Sequence, residues 1–133
     1  MPTKTDIERL ANDFESCRKI LCAIGDENRQ HLILEMMKMG KCSGVRVGDI
    51  TEKSHLSRPA VSHHLQILKG AGILKVRKEG TKNYYYFDPD MVSFEKLIGV
   101  LQKAVAITSA LPDRNTKKEC WEGTPEDIAA EEY

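Results

Sequence analysis

The stretch Leu56-Ser57-Arg58-Pro59-Ala60-Val61-Ser62-His63-His64-Leu65-Gln66-Ile67-Leu68-Lys69 leaves the backbone little choice. Ser57 is a good N-cap, because its hydroxyl can accept a hydrogen bond from an unpaired amide of the first helical turn. Pro59 is tolerated in that turn, where amides lack a helical acceptor. Val61, Leu65 and Leu68 then recur at i, i+4 and i+7, which makes one apolar stripe. At about 100° per residue, Pro59, His63 and Gln66 fall on the opposite side, with Arg58 and Ser62 flanking them. Small, polar and cationic groups of this kind can meet base edges and phosphates. The same pattern also describes an ordinary amphipathic surface helix, so the rest of the chain has to decide.

Upstream, Ile7, Leu10, Phe14 and Leu21 hold helical spacing, which predicts a first helix from Asp6 to Cys22. Gly25 ends it. Asp26 can cap a second helix over Glu27–Met39, with Leu32, Ile33, Met36 and Met37 on its apolar side. Gly40–Gly44 reads as a loop, and Val47 and Ile50 mark a short third helix ending near Lys53. Ser54-His55-Leu56 is the turn into the fourth helix, the stretch described first. Gly70 and Gly72 stop that helix. Ile73–Lys78 and Asn83–Asp88 are rich in β-formers, with a glycine at Gly80 to turn between them. Of the tyrosine run 84–86, at least one ring should pack inward, because a strand alternates faces. Asp88-Pro89 is a cap followed by a helix-starting proline. A fifth helix then runs to about Leu111, with Phe94, Leu97, Ile98, Leu101, Val105 and Thr108 along one side and Pro112 ending it. The expected fold is mainly α (α+β): five helices, with a two-stranded β-hairpin between helices four and five. Two short helices, a tight turn and then such a hairpin make a winged helix-turn-helix, whose second helix enters the major groove.

At 133 residues the chain suits one domain. Residues 1–111 are expected to form it, and 112–133 an acidic, weakly ordered tail. The formal net charge is zero, but its distribution is not even. From Arg46 to Lys82 eight basic side chains stand against three acidic ones; from Asp113 to Tyr133 three stand against seven. A basic middle is the polarity expected of a surface that faces phosphate. No apolar run approaches the roughly 20 residues that span a bilayer. The N-terminus lacks the apolar region of a signal peptide, so a cytoplasmic location is expected. Cys17, Cys22, Cys42 and Cys120 are then expected as thiols.

The chain resembles the ArsR-type family of bacterial winged-helix regulators over about Leu21–Asp88. The residues that carry the likeness are Gly25-Asp26-Glu27-Asn28-Arg29, Asp49-Ile50-Thr51, Leu56–Leu65, Leu68–Leu74 and the wing Lys78–Tyr85. The resemblance implies a homodimer, joined mainly through the first and last helices, that binds a near-palindromic DNA operator and usually represses. Carried over by position, Arg58, Pro59, Ser62 and His63 take the base-facing places. Arg58 can either read guanine through a bidentate contact or clamp a phosphate. The expected DNA contacts are Ser57, Arg58, Pro59, Ser62, His63, Gln66, Lys69, Arg77, Lys78 and Lys82. The expected dimer contacts are Phe94, Leu97, Leu101 and Val105.

Many members of that family sense metals. The positions matching the family's Cys-x-Cys pair are Arg46 and Gly48, neither of which ligates a soft metal. The opening of the last helix reads Asp88-Pro89-Asp90, and no histidine follows His64, so the second metal motif is missing too. A subgroup senses oxidants through paired cysteines; the matching position in the second helix is about Glu35. Cys17 and Cys22, five apart on one helix, diverge by about 140° and cannot share an ion there. A site between subunits involving Cys120 stays open, as does a thiol switch at Cys42, whose neighbour Lys41 favours thiolate. His31 and His55 are expected as solvent-facing groups and His64 as a partly buried, hydrogen-bonded ring. Met36, Met37 and Met39 are expected as core and loop filler.

No metal, cofactor or effector is therefore assigned. No nucleophile–base pair or phosphate loop points to an enzyme. The alternatives are a winged helix that binds protein and a thiol-based redox regulator.

Overall fold

The computed structural model describes residues 2–112 and 115. The elements run α1 (Lys4–Ser16), α2 (Arg18–Ile24), α3 (Glu27–Met39), α4 (Val47–Ser54), α5 (Arg58–Gly70), β1 (Leu74–Glu79), β2 (Lys82–Phe87) and α6 (Met91–Ser109). Two compact units are present. Arg18–Phe94 makes one; α1 and the rest of α6 belong to the other. Apart from Pro112 and Asn115, the expected tail, with Cys120 and Trp121, lies outside the described residues.

The described residues hold six helices where five were expected, because the first is broken. It begins earlier than Asp6, since Thr3 and Asp6 form a reciprocal capping box with bonds of 2.9 and 3.1 Å. These bonds hold the Asp6 carboxyl below the usual aspartate range. It ends at Cys17, whose N–H turns back to the Phe14 carbonyl at 3.1 Å, a tightened last turn with neither glycine nor proline. Cys17 is buried. In the same unit, Lys103 of α6 pairs with Asp13 of α1 at 3.3 Å.

The Arg18–Phe94 unit builds its core from Leu32 and Met36 of α3, Ile50 of α4, Val61, Leu65 and Leu68 of α5, and Leu74 and Tyr85 of the hairpin. The expected stripe of α5 is fully buried, with Val61, Leu65 and Leu68 each at 0% exposure. Asp26 caps α3 at 3.1 Å, and Gly40 closes it in the left-handed region. Met36 is core, Met39 half-buried and Met37 exposed.

Gly70 does not stop α5; it is the last helical residue. The stop is Gly72, at φ +79. The Ile73 amide returns to the Leu68 carbonyl and the Gly72 amide to Lys69, both at 3.0 Å, a Schellman closure that seats Ile73 and Leu68 together in the core.

The strands pair antiparallel from Leu74↔Phe87 to Glu79↔Lys82, leaving Gly80 and Thr81 as the turn. Tyr85 faces inward as the alternation requires, and Tyr84 and Tyr86 are half-buried. Tyr85 also exchanges two 2.8 Å bonds with Val45, a one-residue bridge that fastens the wing to the segment before α4. Gly44 is required there, because a Cβ would come within 2.8 Å of the Tyr84 Cβ.

The cap of the last helix is Asp90 rather than Asp88. Its carboxylate accepts from the Val92 amide at 3.2 Å and the Ser93 hydroxyl at 2.7 Å. Asp88 is instead drawn to Lys75 across the hairpin.

Candidate nucleic-acid interface

Three elements present polar groups side by side: the start of α4, the start of α5 and the tip of the wing. The turn between α4 and α5 sets their crossing. His55 takes the left-handed conformation at φ 61, and its amide bonds the Thr51 carbonyl at 3.2 Å. His31, expected to face solvent, is half-buried in α3 and donates from Nε2 to the Ser54 carbonyl at 3.0 Å. That carbonyl ends α4 without a helical partner, so His31 fastens the turn from behind. His55 is exposed as expected.

Beyond the turn, Ser57 caps α5 by accepting from the Ala60 amide at 3.2 Å. Its O–H proton is left to donate outward. Arg58, Pro59, His63, Gln66 and Lys69 are exposed, and Ser62 is half-buried. Gln66 reaches inward with Nε2 3.4 Å from the Tyr85 hydroxyl. His64, one residue from His63, lies partly covered with Nδ1 3.4 Å from Arg29 Nη1. Burial chiefly holds the His64 ring below the usual histidine range; Asp26 opposes this, while Arg29 and His63 add to it.

The wing separates its cations. Arg77 donates to the Ser43 carbonyl at 2.6 Å, pairs with Glu79 at 3.2 Å and lies 5.0 Å over the Tyr84 ring. It therefore braces the wing against the loop before α4. Lys78 and Lys82 stand exposed nearer the tip.

Sequence reasoning passed over the floor between these elements. A cleft of about 290 Å³ is lined by Arg46 at the N-cap of α4, Val47, Gly48 and Asp49 from its first turn, Arg58 from α5, and Thr81 and Asn83 from the wing. Arg46 holds the N-cap position of α4 but makes no capping bond with its side chain. A basic residue just before a predicted helix start was the available signal. The sequence counts Arg46 in the basic middle and excludes it as a soft-metal ligand, but neither reading places it in a cleft.

Among the described residues, no three His, Cys, Asp or Glu side chains gather as a metal-ligand group. Cys17, Cys22 and Cys42 are free thiols, the first buried and the others exposed. The expected dimer residues differ in burial. Leu97 is 5% exposed and Phe94 packs partly against the core, whereas Leu101 is 47% and Val105 67% exposed. No helix among the described residues is long and apolar enough to cross a membrane.

Residues 26–76 match the family model described as bacterial regulatory protein, arsR family. An uncharacterized HTH-type transcriptional regulator of Methanocaldococcus jannaschii is 39% identical over 79 residues, covering 59% of this chain and 85% of that one. The transcriptional repressor SdpR of Bacillus subtilis is 40% identical over 63 residues, covering 47% of this chain and 66% of that one. The solution structure of the homodimeric winged helix-turn-helix DNA-binding domain Mb0332 of Mycobacterium bovis shares the fold. Its TM-score is 0.50 at 22% identity, over 79% of this chain and 94% of that one. A cap, a buried stripe and a polar outer face on α5, followed by a braced wing, are thus those of a DNA-binding winged helix, and the chain belongs to the ArsR family of transcriptional regulators.

Proposed function

We propose that this chain is a cytoplasmic repressor that binds a near-palindromic operator as a homodimer and catalyses no reaction. The observation that carries the reading is the division of α5. Val61, Leu65 and Leu68 are fully buried, while Arg58, Pro59, His63, Gln66 and Lys69 stand exposed. A helix held this way projects its first turns into the major groove. Ser62 and His63 meet base edges; Ser57, Lys69, Lys78 and Lys82 meet phosphates. Gln66 adds a contact from the amide groups that its bond to Tyr85 leaves unused, and Arg77 acts through the wing it braces.

Two copies join through α1 and α6. Leu101, Val105 and Ile98 expose apolar surface on α6 that a second copy would cover. The homodimeric Mycobacterium bovis domain and the Bacillus subtilis repressor support the dimer and the sign of regulation. Metal does not gate this protein through the positions of Arg46 and Gly48, because a guanidinium and a glycine supply no soft ligand.

The test selects duplexes from a random library and measures the winner against a scrambled duplex by fluorescence anisotropy, with and without chelator. Tight, chelator-insensitive preference for one palindromic sequence is expected. Equal binding of every duplex would overturn the operator, and loss of binding with chelator would overturn the metal-independent reading.

A further inference from the structure

The cleft between α4, α5 and the wing carries charge that the fold itself does not use. Arg46 enters it from the N-cap position of α4, where a side chain that accepts hydrogen bonds usually sits; a guanidinium has no acceptor, so it cannot cap. Arg58 enters from the first turn of α5, and Thr81 and Asn83 supply polar groups from the wing. Asp49 is the acidic member of the lining, so two positive charges face one negative. Gly48 lies on the same floor. Its φ is not in the left-handed region, and a Cβ there would meet no atom within 4 Å. Packing therefore does not call for glycine at a helical position where glycine is unfavourable.

We propose that this cleft binds a phosphate group of the duplex backbone, held between the guanidiniums of Arg46 and Arg58 and bordered by Thr81 and Asn83. The proposal rests on the DNA-binding reading above and assigns Arg58 the clamping role of the two that its sequence position allows. A guanidinium suits this task, because its planar fork of donors matches two phosphate oxygens at once. The two arginines come from different elements. One phosphate held between them would therefore fix how far the recognition helix enters the groove, relative to the wing. Such a contact adds affinity on any sequence and carries no base information.

The test uses the full chain with the selected operator and a scrambled duplex over a range of salt concentrations. Arg46→Gln and Arg58→Gln should each weaken both duplexes by a similar factor. Each should also lower the slope of log affinity against log salt by about one unit. Asp49→Asn removes the opposing charge and should tighten both duplexes, an outcome that a misfolded protein cannot give. The proposal is overturned if the wild type binds operator while Arg46→Gln leaves affinity and slope unchanged. A free anion is distinguished by titrating inorganic phosphate, at constant ionic strength, into the protein without DNA. A saturable shift of the Gly48 amide in NMR, together with unchanged duplex binding by Arg46→Gln, would make the ligand a soluble phosphate and overturn the backbone assignment. Wild-type protein that binds no duplex at all would remove the DNA-binding reading and this proposal with it.

Discussion

Arg29 of α3 lies with Nη1 3.4 Å from Nδ1 of His64 on the recognition helix. The same guanidinium donates to the Ala23 carbonyl at 2.7 Å and the Cys22 carbonyl at 2.9 Å, at the end of α2. One side chain thus ties three helices together. Because guanidinium only donates, Nδ1 must accept, which fixes His64 as the neutral ring with its proton on Nε2.

His64 should therefore make stability depend on pH. Burial, Arg29 and His63 lower its pKa below the ordinary 6.5, against the opposing pull of Asp26. The folded state then binds the proton less readily than the unfolded chain. Stability is intact above the unfolded pKa and falls as pH drops below it. Urea unfolding between neutral pH and about pH 5 should show this loss in the wild type, with a shallower loss in His64→Gln. Parallel curves for the two proteins would exclude His64 as the source.

Arg29→Ala should cost about 1–3 kcal/mol, since it leaves the Cys22 and Ala23 carbonyls without their donor. Arg29→Lys should recover little of that, because one ammonium cannot reproduce the fork that reaches both carbonyls and His64. Thermal melts of the two variants check this. Full rescue by lysine would mean that only the charge matters.

On α6, burial separates two effects that the sequence treated as one. Leu97→Ala should destabilise the protomer by about 2–5 kcal/mol, because Leu97 is already buried without a second copy. Leu101→Glu should leave the protomer folded, since that side chain is about half exposed, and should abolish the dimer by placing a charge in its interface. Circular dichroism and light scattering distinguish the outcomes. A folded Leu101→Glu dimer would refute the α6 interface.

Where local rules decide a conformation, the sequence was readable. Ser57, Pro59 and the Val61/Leu65/Leu68 stripe specify α5 through contacts within a few residues, and Gly80 marks the wing turn in the same way. The break at Cys17 was not readable, because it has no glycine or proline to announce it. Nor could the choice between Asp88 and Asp90 be made from composition, since both are aspartates near a helix start. Lys75, thirteen residues away, draws Asp88 off. Nor was the bond from Arg77 to the Ser43 carbonyl readable, because the two residues are 34 apart in sequence. The division of α5 into a buried stripe and an exposed polar face was legible, because it is set within the helix itself. The cleft was hidden, because Arg46, Arg58 and Thr81 meet only after the chain has folded.

The wing cations should therefore behave differently from one another. Lys78→Ala and Lys82→Ala should lower the salt slope by up to about one unit each and weaken all duplexes alike, with unchanged melting. Arg77→Ala should weaken binding and also lower the melting temperature, because it removes the bond to Ser43, the pair with Glu79 and the stacking on Tyr84. If Arg77→Ala changes binding but leaves melting untouched, Arg77 meets the DNA directly.

Ser62 and His63 should read sequence rather than add charge. Both sit in the second turn of α5, beyond the Ser57 cap, while Val61 before them and Leu65 after them hold the helix on the core. Their side chains therefore face the groove floor if the first turns of α5 enter it. A base contact is worth about 1–3 kcal/mol of discrimination, whereas a phosphate contact weakens every sequence alike. Ser62→Ala and His63→Ala should thus narrow the ratio of operator to scrambled affinity with little loss of folding. Arg46→Gln and Arg58→Gln should leave that ratio nearly unchanged while lowering both affinities. Paired binding curves at one salt concentration decide the matter. If Ser62→Ala and His63→Ala both keep the wild-type ratio, the bases are read elsewhere and α5 serves only to place charge.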